Sequence, residues 1–160
     1  MLNHHHLDHV EGAKDAVDLG ATLVMPDTAL KNVTKVIGAD ISDNKLQILS
    51  ADKTSVGGVE IHMISTSHVQ TYALPYIPSA KTIFQGDLYG NNIKASGGYV
   101  GHAGISMKSE IERLGLDVAT LLSAHHRKAE KWEDFEAMAA KYVPGTCPTG
   151  RKICQSFVRP

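Results

Sequence analysis

The sequence predicts an α/β fold. Short stretches of strand character take turns with amphipathic helical ones. Residues of the types that bind cations recur just past several of the strand-like stretches. In α/β folds functional groups gather at the carboxyl ends of strands, so the second observation supports the first.

The elements follow in order. From Asp8 to Leu19, Val10, Ala13, Ala16 and Val17 stand at helical spacing, and Gly20 stops the run. Ala21–Pro26 (ATLVMP) is a short apolar strand. A helix starts at Pro26–Asp27–Thr28 and ends at Gly38. Lys45–Ser50 and Val59–Ser65 alternate apolar and polar residues, and Asp52–Lys53 with Gly57–Gly58 supply turn chemistry for a hairpin between them. Thr71–Pro78 and Lys81–Asp87 form a second strand pair across a Ser-Ala turn. Gly90–Gly104, rich in glycine and asparagine, reads as a long loop. A helix covers Ser106–Gly115, a continuous apolar strand Val118–Ala124, and an amphipathic helix Lys131–Tyr142. Trp132 and Phe135 are read as core of that last helix, and His62 as a strand residue. His102 and Tyr99 lie in the glycine-rich loop, where loop packing or solvent exposure is the simpler reading. One domain spans residues 1–143 and a tail 144–160.

Composition narrows the function. Net charge is −1 with histidines neutral, so nothing draws the chain to nucleic acid or an anionic membrane. No run of about 18 apolar residues exists for a membrane span. Cys147 and Cys154 share the tail, and a short disulfide and two free thiols are equally open readings.

Nine histidines are the outstanding feature of the composition, and their placement carries the chemistry. His4, His6, Asp8 and His9 fall within one short segment. An extended backbone turns His4 and His6 to one side and His5 to the other. Asp8 and His9 then lie on the turn into the first helix. These are zinc-ligand types. Downstream, His68 follows VEIHMISTS, Asp87 ends KTIFQGD, and His125 ends VATLLSA. A catalytic metal takes about three protein ligands, so four in one segment plus three more point to two metals. His125 is preferred to His126 as the first residue past its strand.

With these positions the sequence resembles the metallo-β-lactamase superfamily of binuclear metallohydrolases. The signature His-x-His-x-Asp-His stands as HHHLDH, and the later motifs match HVQTYALPYIP, QGDLY and LLSAHH. The resemblance implies an αββα sandwich. It implies that His4, His6 and His68 hold one metal, that Asp8, His9 and His125 hold the other, and that Asp87 bridges them. Two zinc ions are expected, with iron or manganese as other occupants. The implied activity is hydrolysis of a small carbonyl substrate (lactam, lactone, ester or thioester) by a metal-bridging hydroxide, with Asp8 both ligating and orienting the nucleophile. A metal-binding but inactive remnant, an iron-dependent oxygenase and a phosphodiesterase are alternatives on the same fold.

The sequence departs from the family pattern at Asn3, where threonine is usual, at Glu11–Gly12, at Gln70–Thr71 and at His125–His126. None of these changes removes a ligand. Only Met1–Leu2–Asn3 precede the first motif, whereas the family places several strands there. The expectation is therefore a sandwich lacking most of its first sheet, with apolar surface covered by a second copy of the chain.

Overall fold

The computed structural model describes residues 1–38, 41–89, 100–125 and 128–142. The tail from residue 144, both cysteines, Tyr99 and His126 lie outside the described residues.

The chain begins extended and enters a single-turn helix α1 (Leu7–Val10), followed by α2 (Ala13–Asp18). The one helix expected over Asp8–Leu19 is thus two, parted at Glu11–Gly12. Strand β1 (Leu23–Pro26), a 3-10 turn (Asp27–Ala29), helix α3 (Leu30–Ile37) and strand β2 (Leu46–Leu49) follow. Then come β3 (Lys53–Val56), β4 (Val59–Ile64), β5 (Tyr72–Ile77) and β6 (Thr82–Gln85). The described chain closes with helix α4 (His102–Leu114), β7 (Thr120–Ser123), the two-residue β8 (Glu130–Lys131) and helix α5 (Trp132–Ala139).

The expected hairpin between Lys45–Ser50 and Val59–Ser65 does not form. β2 instead pairs with β1 in parallel, Leu23 opposite Leu46. The partner of β4 is β3, joined to it by Gly57 and Gly58. Both glycines have positive φ (56° and 81°), as a two-residue turn matched to strand twist requires. The error has a physical source: β3 reads Lys-Thr-Ser-Val, an edge strand with little apolar content, and leaves almost no hydrophobic signal.

Three apolar clusters define the layers. Val10, Ala13, Leu23, Met25, Ala29 and Val33 join α1–α3 to one face of β1. Leu49, Ile61 and Ala73, with Val24, Val56, Val59 and Met63 against them, fill the space between the two sheets. The largest cluster packs α4 and α5 onto the far face of the six-stranded sheet through Tyr72, Leu74, Ile83, Met107, Ile111 and Phe135. Strand alternation divides the residues among these layers. On β1, Leu23 and Met25 face the helices and Val24 faces the other sheet. On β5, Tyr72, Leu74 and Tyr76 face α4 and α5, while Ala73 faces inward. The result is an αββα sandwich whose first sheet has two described strands and whose second has six, in the order β3-β4-β5-β6-β7-β8.

Between the sheets an apolar groove of about 420 Å³ stays open, lined by Val24, Val59, Ile61, Pro75, Phe84 and Leu122 among others. Phe84 is 37% exposed there. No helix among the described residues is long and apolar enough to cross a membrane.

Helix α4 starts at His102, four residues ahead of the expected Ser106. Glycine suggested a loop, but Gly104 sits inside the helix because the packing leaves no room for a side chain. A Cβ at Gly104 would lie 2.6 Å from Val100 Cγ1 and 3.2 Å from the Leu88 carbonyl oxygen. His102 itself hydrogen-bonds the Tyr142 hydroxyl. Gly104→Ala is expected to lower unfolding stability by about 1–3 kcal/mol. Gly12→Ala, where nothing lies within 4 Å of the added carbon, stays within about 0.5 kcal/mol of the parent. Urea midpoints of the two variants check this.

Candidate metal centre

Strand direction decides where the site forms. β4 and β6 are each antiparallel to β5, and β6 is parallel to β7. The carboxyl ends of β4, β6 and β7 therefore share one edge of the sheet. His68 sits in the connection leaving β4, Asp87 just past β6 and His125 just past β7. The first motif reaches the same edge by backbone pairing. Leu2 N donates to Val24 O at 2.9 Å, and Ala73 N donates to Asn3 O at 2.8 Å. Asn3 Nδ2 returns a bond to Ala73 O at 2.9 Å, so Asn3 anchors the motif to β5. His6 is extended (φ −67°, ψ 144°) and caps α1, whose single turn carries Asp8 and His9 side by side.

All seven residues singled out in the sequence meet at this edge. His4, His6, His68 and Asp87 offer ligand atoms within 4.8 Å of one another, and so do Asp8, His9, Asp87 and His125. Asp87 belongs to both groups. Its Oδ2 lies 3.3 Å from His4 Nε2, 3.9 Å from His6 Nδ1 and 2.9 Å from His68 Nε2. Its Oδ1 lies 2.7 Å from His9 Nε2 and 2.8 Å from His125 Nε2. Asp8 Oδ2 stands 3.5 Å from His9 and 3.7 Å from His125. Burial grades across the site: His4 is fully buried, the Asp87 side chain is 9% exposed and that of Asp8 60%. His62 is not part of the site; it is buried on β4 and hydrogen-bonds Glu60.

These residues fit divalent cations. Ligands roughly 2.0–2.2 Å from a tetrahedral centre stand roughly 3.3–3.6 Å apart, and the measured separations fall on both sides of that spacing. Several contacts are close yet make no hydrogen bond. His4 Nδ1 and Nε2, His68 Nε2 and Asp87 Oδ1 are buried with no hydrogen-bond partner. Three of these, His4 Nε2, His68 Nε2 and Asp87 Oδ1, are ligand-type atoms on three side chains of the cluster, and orphaned atoms of this kind cost stability unless something else engages them. An imidazole and carboxylate set is what zinc takes.

Electrostatics favours the ligating forms. Burial would raise the Asp87 carboxyl, but His4, His68 and His9 outweigh it and hold the group far below the ordinary carboxylate range. Burial is also the first cause that lowers the His6 imidazole, followed by its neighbours His4, His68 and His5, so His6 stays neutral at lower pH than usual.

Three contributors lie inside the quoted motifs but were given no role of their own from the sequence. Gln85 is fully buried at the end of β6. Its carboxamide oxygen accepts from Leu88 N (2.8 Å) and Tyr89 N (3.1 Å), and its nitrogen donates to Tyr89 O. It thereby braces the turn that carries Asp87. Tyr72 lies under His4, rings stacked at 5.4 Å and 21°. Gly86 leaves space for His9: a Cβ there would come 3.0 Å from His9 Cε1. A lone glutamine ending an apolar strand was the one available hint.

Searched by structure, the chain matches solved metallo-β-lactamases. FIM-1 from Pseudomonas aeruginosa, in its mono-zinc form, aligns over 87% of this chain and 63% of its own length, with TM-score 0.63 and 17% identity. The enzyme from Hirschia baltica aligns over 87% and 65%, with TM-score 0.63 and 16% identity. DIM-1 aligns over 87% and 65%, with TM-score 0.61 and 15% identity. The fold is that of the metallo-β-lactamases. The chain spans 63–65% of the length of these three structures. No family model and no curated protein matches the sequence.

The metallo-β-lactamase fold therefore carries a centre whose metal-free stability depends on pH through His6. Folding lowers its affinity for a proton from the ordinary value of 6.5. Below that pH the unfolded chain takes up a proton that the folded chain resists, so the His6 contribution falls as pH drops. In chelator, the urea midpoint of the parent is expected to lose more between pH 7.5 and 5.5 than that of His6→Ala. Equal losses in the two proteins count against this account.

Proposed function

We propose that this protein is a metal-dependent hydrolase of a small carbonyl substrate: a lactam, lactone, ester or thioester. The observation that supports the reading best is the sharing of Asp87 between two ligand clusters. In this reading His4, His6 and His68 hold one cation, Asp8, His9 and His125 hold a second, and Asp87 links them. Zinc suits the nitrogen-rich donor set, and iron or manganese also accepts imidazole and carboxylate. A pair of such cations supplies a low-pKa water as nucleophile and polarises the carbonyl oxygen of the substrate.

The chain's own groups do the rest. Asp87 stays ionised at working pH, and its charge offsets that of the centre. Asp8, the most exposed of the seven, orients the attacking water with its carboxylate. A cleft of about 720 Å³ opens beside His6 and His68 and is lined by Thr28, Thr66, Ser67 and Gln70. These side chains can hydrogen-bond the non-reacting part of a substrate while the carbonyl faces the cluster.

The experiment combines metal analysis with turnover. Purified protein is expected to hold two equivalents of zinc and to hydrolyse at least one of a chromogenic lactam, a lactone and a thioester, with loss in chelator. His4→Ala and Asp87→Ala should reduce turnover by about 10²-fold or more, as removal of a charge-stabilising group does elsewhere. Asp8→Ala with undiminished turnover would overturn the role given to that carboxylate. Bound zinc without turnover of any of the three substrates would favour the inactive metal-binding reading.

The homo-oligomer belongs to the same proposal, its contact being the apolar groove beside Phe84. Light scattering is expected to give at least a dimer, and Phe84→Glu to shift it to monomer. A monomeric parent excludes the contact.

A further inference from the structure

We propose that Tyr72 and Ser123 are positioning residues that clamp the Gly86 backbone at its N–H and its carbonyl and so set where Asp87 stands between the two clusters. The inference rests on the metal-centre reading above and goes beyond it to two residues that touch no reacting atom.

Gly86 N donates to the Tyr72 hydroxyl. On the other side, Ser123 Oγ donates to Gly86 O at 3.0 Å, and the same oxygen accepts from His125 N at 3.2 Å. The two peptide groups that meet at Gly86 thus join both clusters. Tyr72 reaches the first, because its ring stacks on His4. Ser123 reaches the second, because it holds the backbone of His125. The frame around them is rigid. Tyr72 is fully buried, and Ser123 is the last residue of β7, in register with Gln85 of β6. Both hydrogen bonds flank a residue with little room for a side chain, since a Cβ on Gly86 would stand 3.1 Å from the Tyr72 hydroxyl. A carboxylate on such a peptide has little freedom to swing toward one cluster at the expense of the other. Groups that orient ligands in this way typically change metal affinity by about 10–100-fold when removed.

Tyr72→Phe keeps the ring against His4 and removes only the acceptor for Gly86 N–H. Ser123→Ala removes the bonds to Gly86 O and His125 N, and Ser123→Thr restores a hydroxyl. Two measurements decide. The first is amide hydrogen exchange of the metal-free protein. Gly86 protection is expected to fall by about tenfold or more in Tyr72→Phe while Leu74 in the middle of β5 is unchanged. The second is zinc affinity by competition with a chromophoric chelator. Each single variant is expected to bind about 10–100-fold more weakly, the double variant little worse than the weaker single one, and Ser123→Thr close to the parent. Two side chains acting through one residue in a single hydrogen-bond network give coupled losses.

Losses that multiply in the double variant overturn the proposal, as does a Tyr72→Phe protein with parental Gly86 protection and affinity. Should Tyr72→Phe fail to fold, the Ser123→Ala and Ser123→Thr pair still decides, because rescue by threonine is expected and failure of rescue refutes it. A parent protein that takes up no zinc defeats the metal reading, while the exchange experiment continues to judge the clamp.

Discussion

The structure turns on one carboxylate. Asp87 is almost wholly enclosed, yet five imidazole nitrogens from three separate segments stand within 4 Å of it. A lone buried charge is untenable in such a place. The histidines hold it ionised, and it in turn gives three distant segments a common point of convergence. Strand directions, the extended entry of the first motif and the one-turn helix α1 all have the effect of bringing those nitrogens to that oxygen pair. An apolar residue at position 87 would leave the imidazoles facing one another with nothing between them.

The surrounding bonds show how a loop-borne group is made rigid. The turn after β6 takes its hydrogen bonds from the Gln85 carboxamide instead of a regular backbone ladder. The first motif takes its own from β1 and β5 through Leu2 and Asn3. Catalytic and binding groups commonly lie on loops because a scaffold can present them there, and here the scaffold extends into those loops through side chains. The buried end of the cluster is correspondingly fixed, while Asp8 and His125 at its other end are open to solvent.

Much of this was legible before the fold was known, and for a physical reason. The ligands are chemically conspicuous, and a histidine or aspartate just past an apolar strand stands out against its flanks. His68, Asp87 and His125 stood out in that way, His4, His6, Asp8 and His9 by clustering in one short segment, and their convergence was not visible in any local pattern. What the sequence hid was chemically quiet. Tyr72 looks like any strand aromatic, and Gln85 and Ser123 look like ordinary polar strand ends. The edge strand β3 carries no apolar stripe, so the alternation of Lys45–Ser50 attracted the hairpin that belongs to Lys53–Val56. Glycine misled in the opposite sense at Gly104, where it marks close helix packing and not a loop.

The carboxamide brace at Gln85 has a consequence for the bend it closes. Because the bend from Gly86 to Tyr89 is closed by the side chain of the residue just before it, its own hydrogen bonds do not call on the residues that directly follow Tyr89 in sequence. A change at Gln85 would thus unseat the bend from within, at a position the ligand pattern alone does not mark.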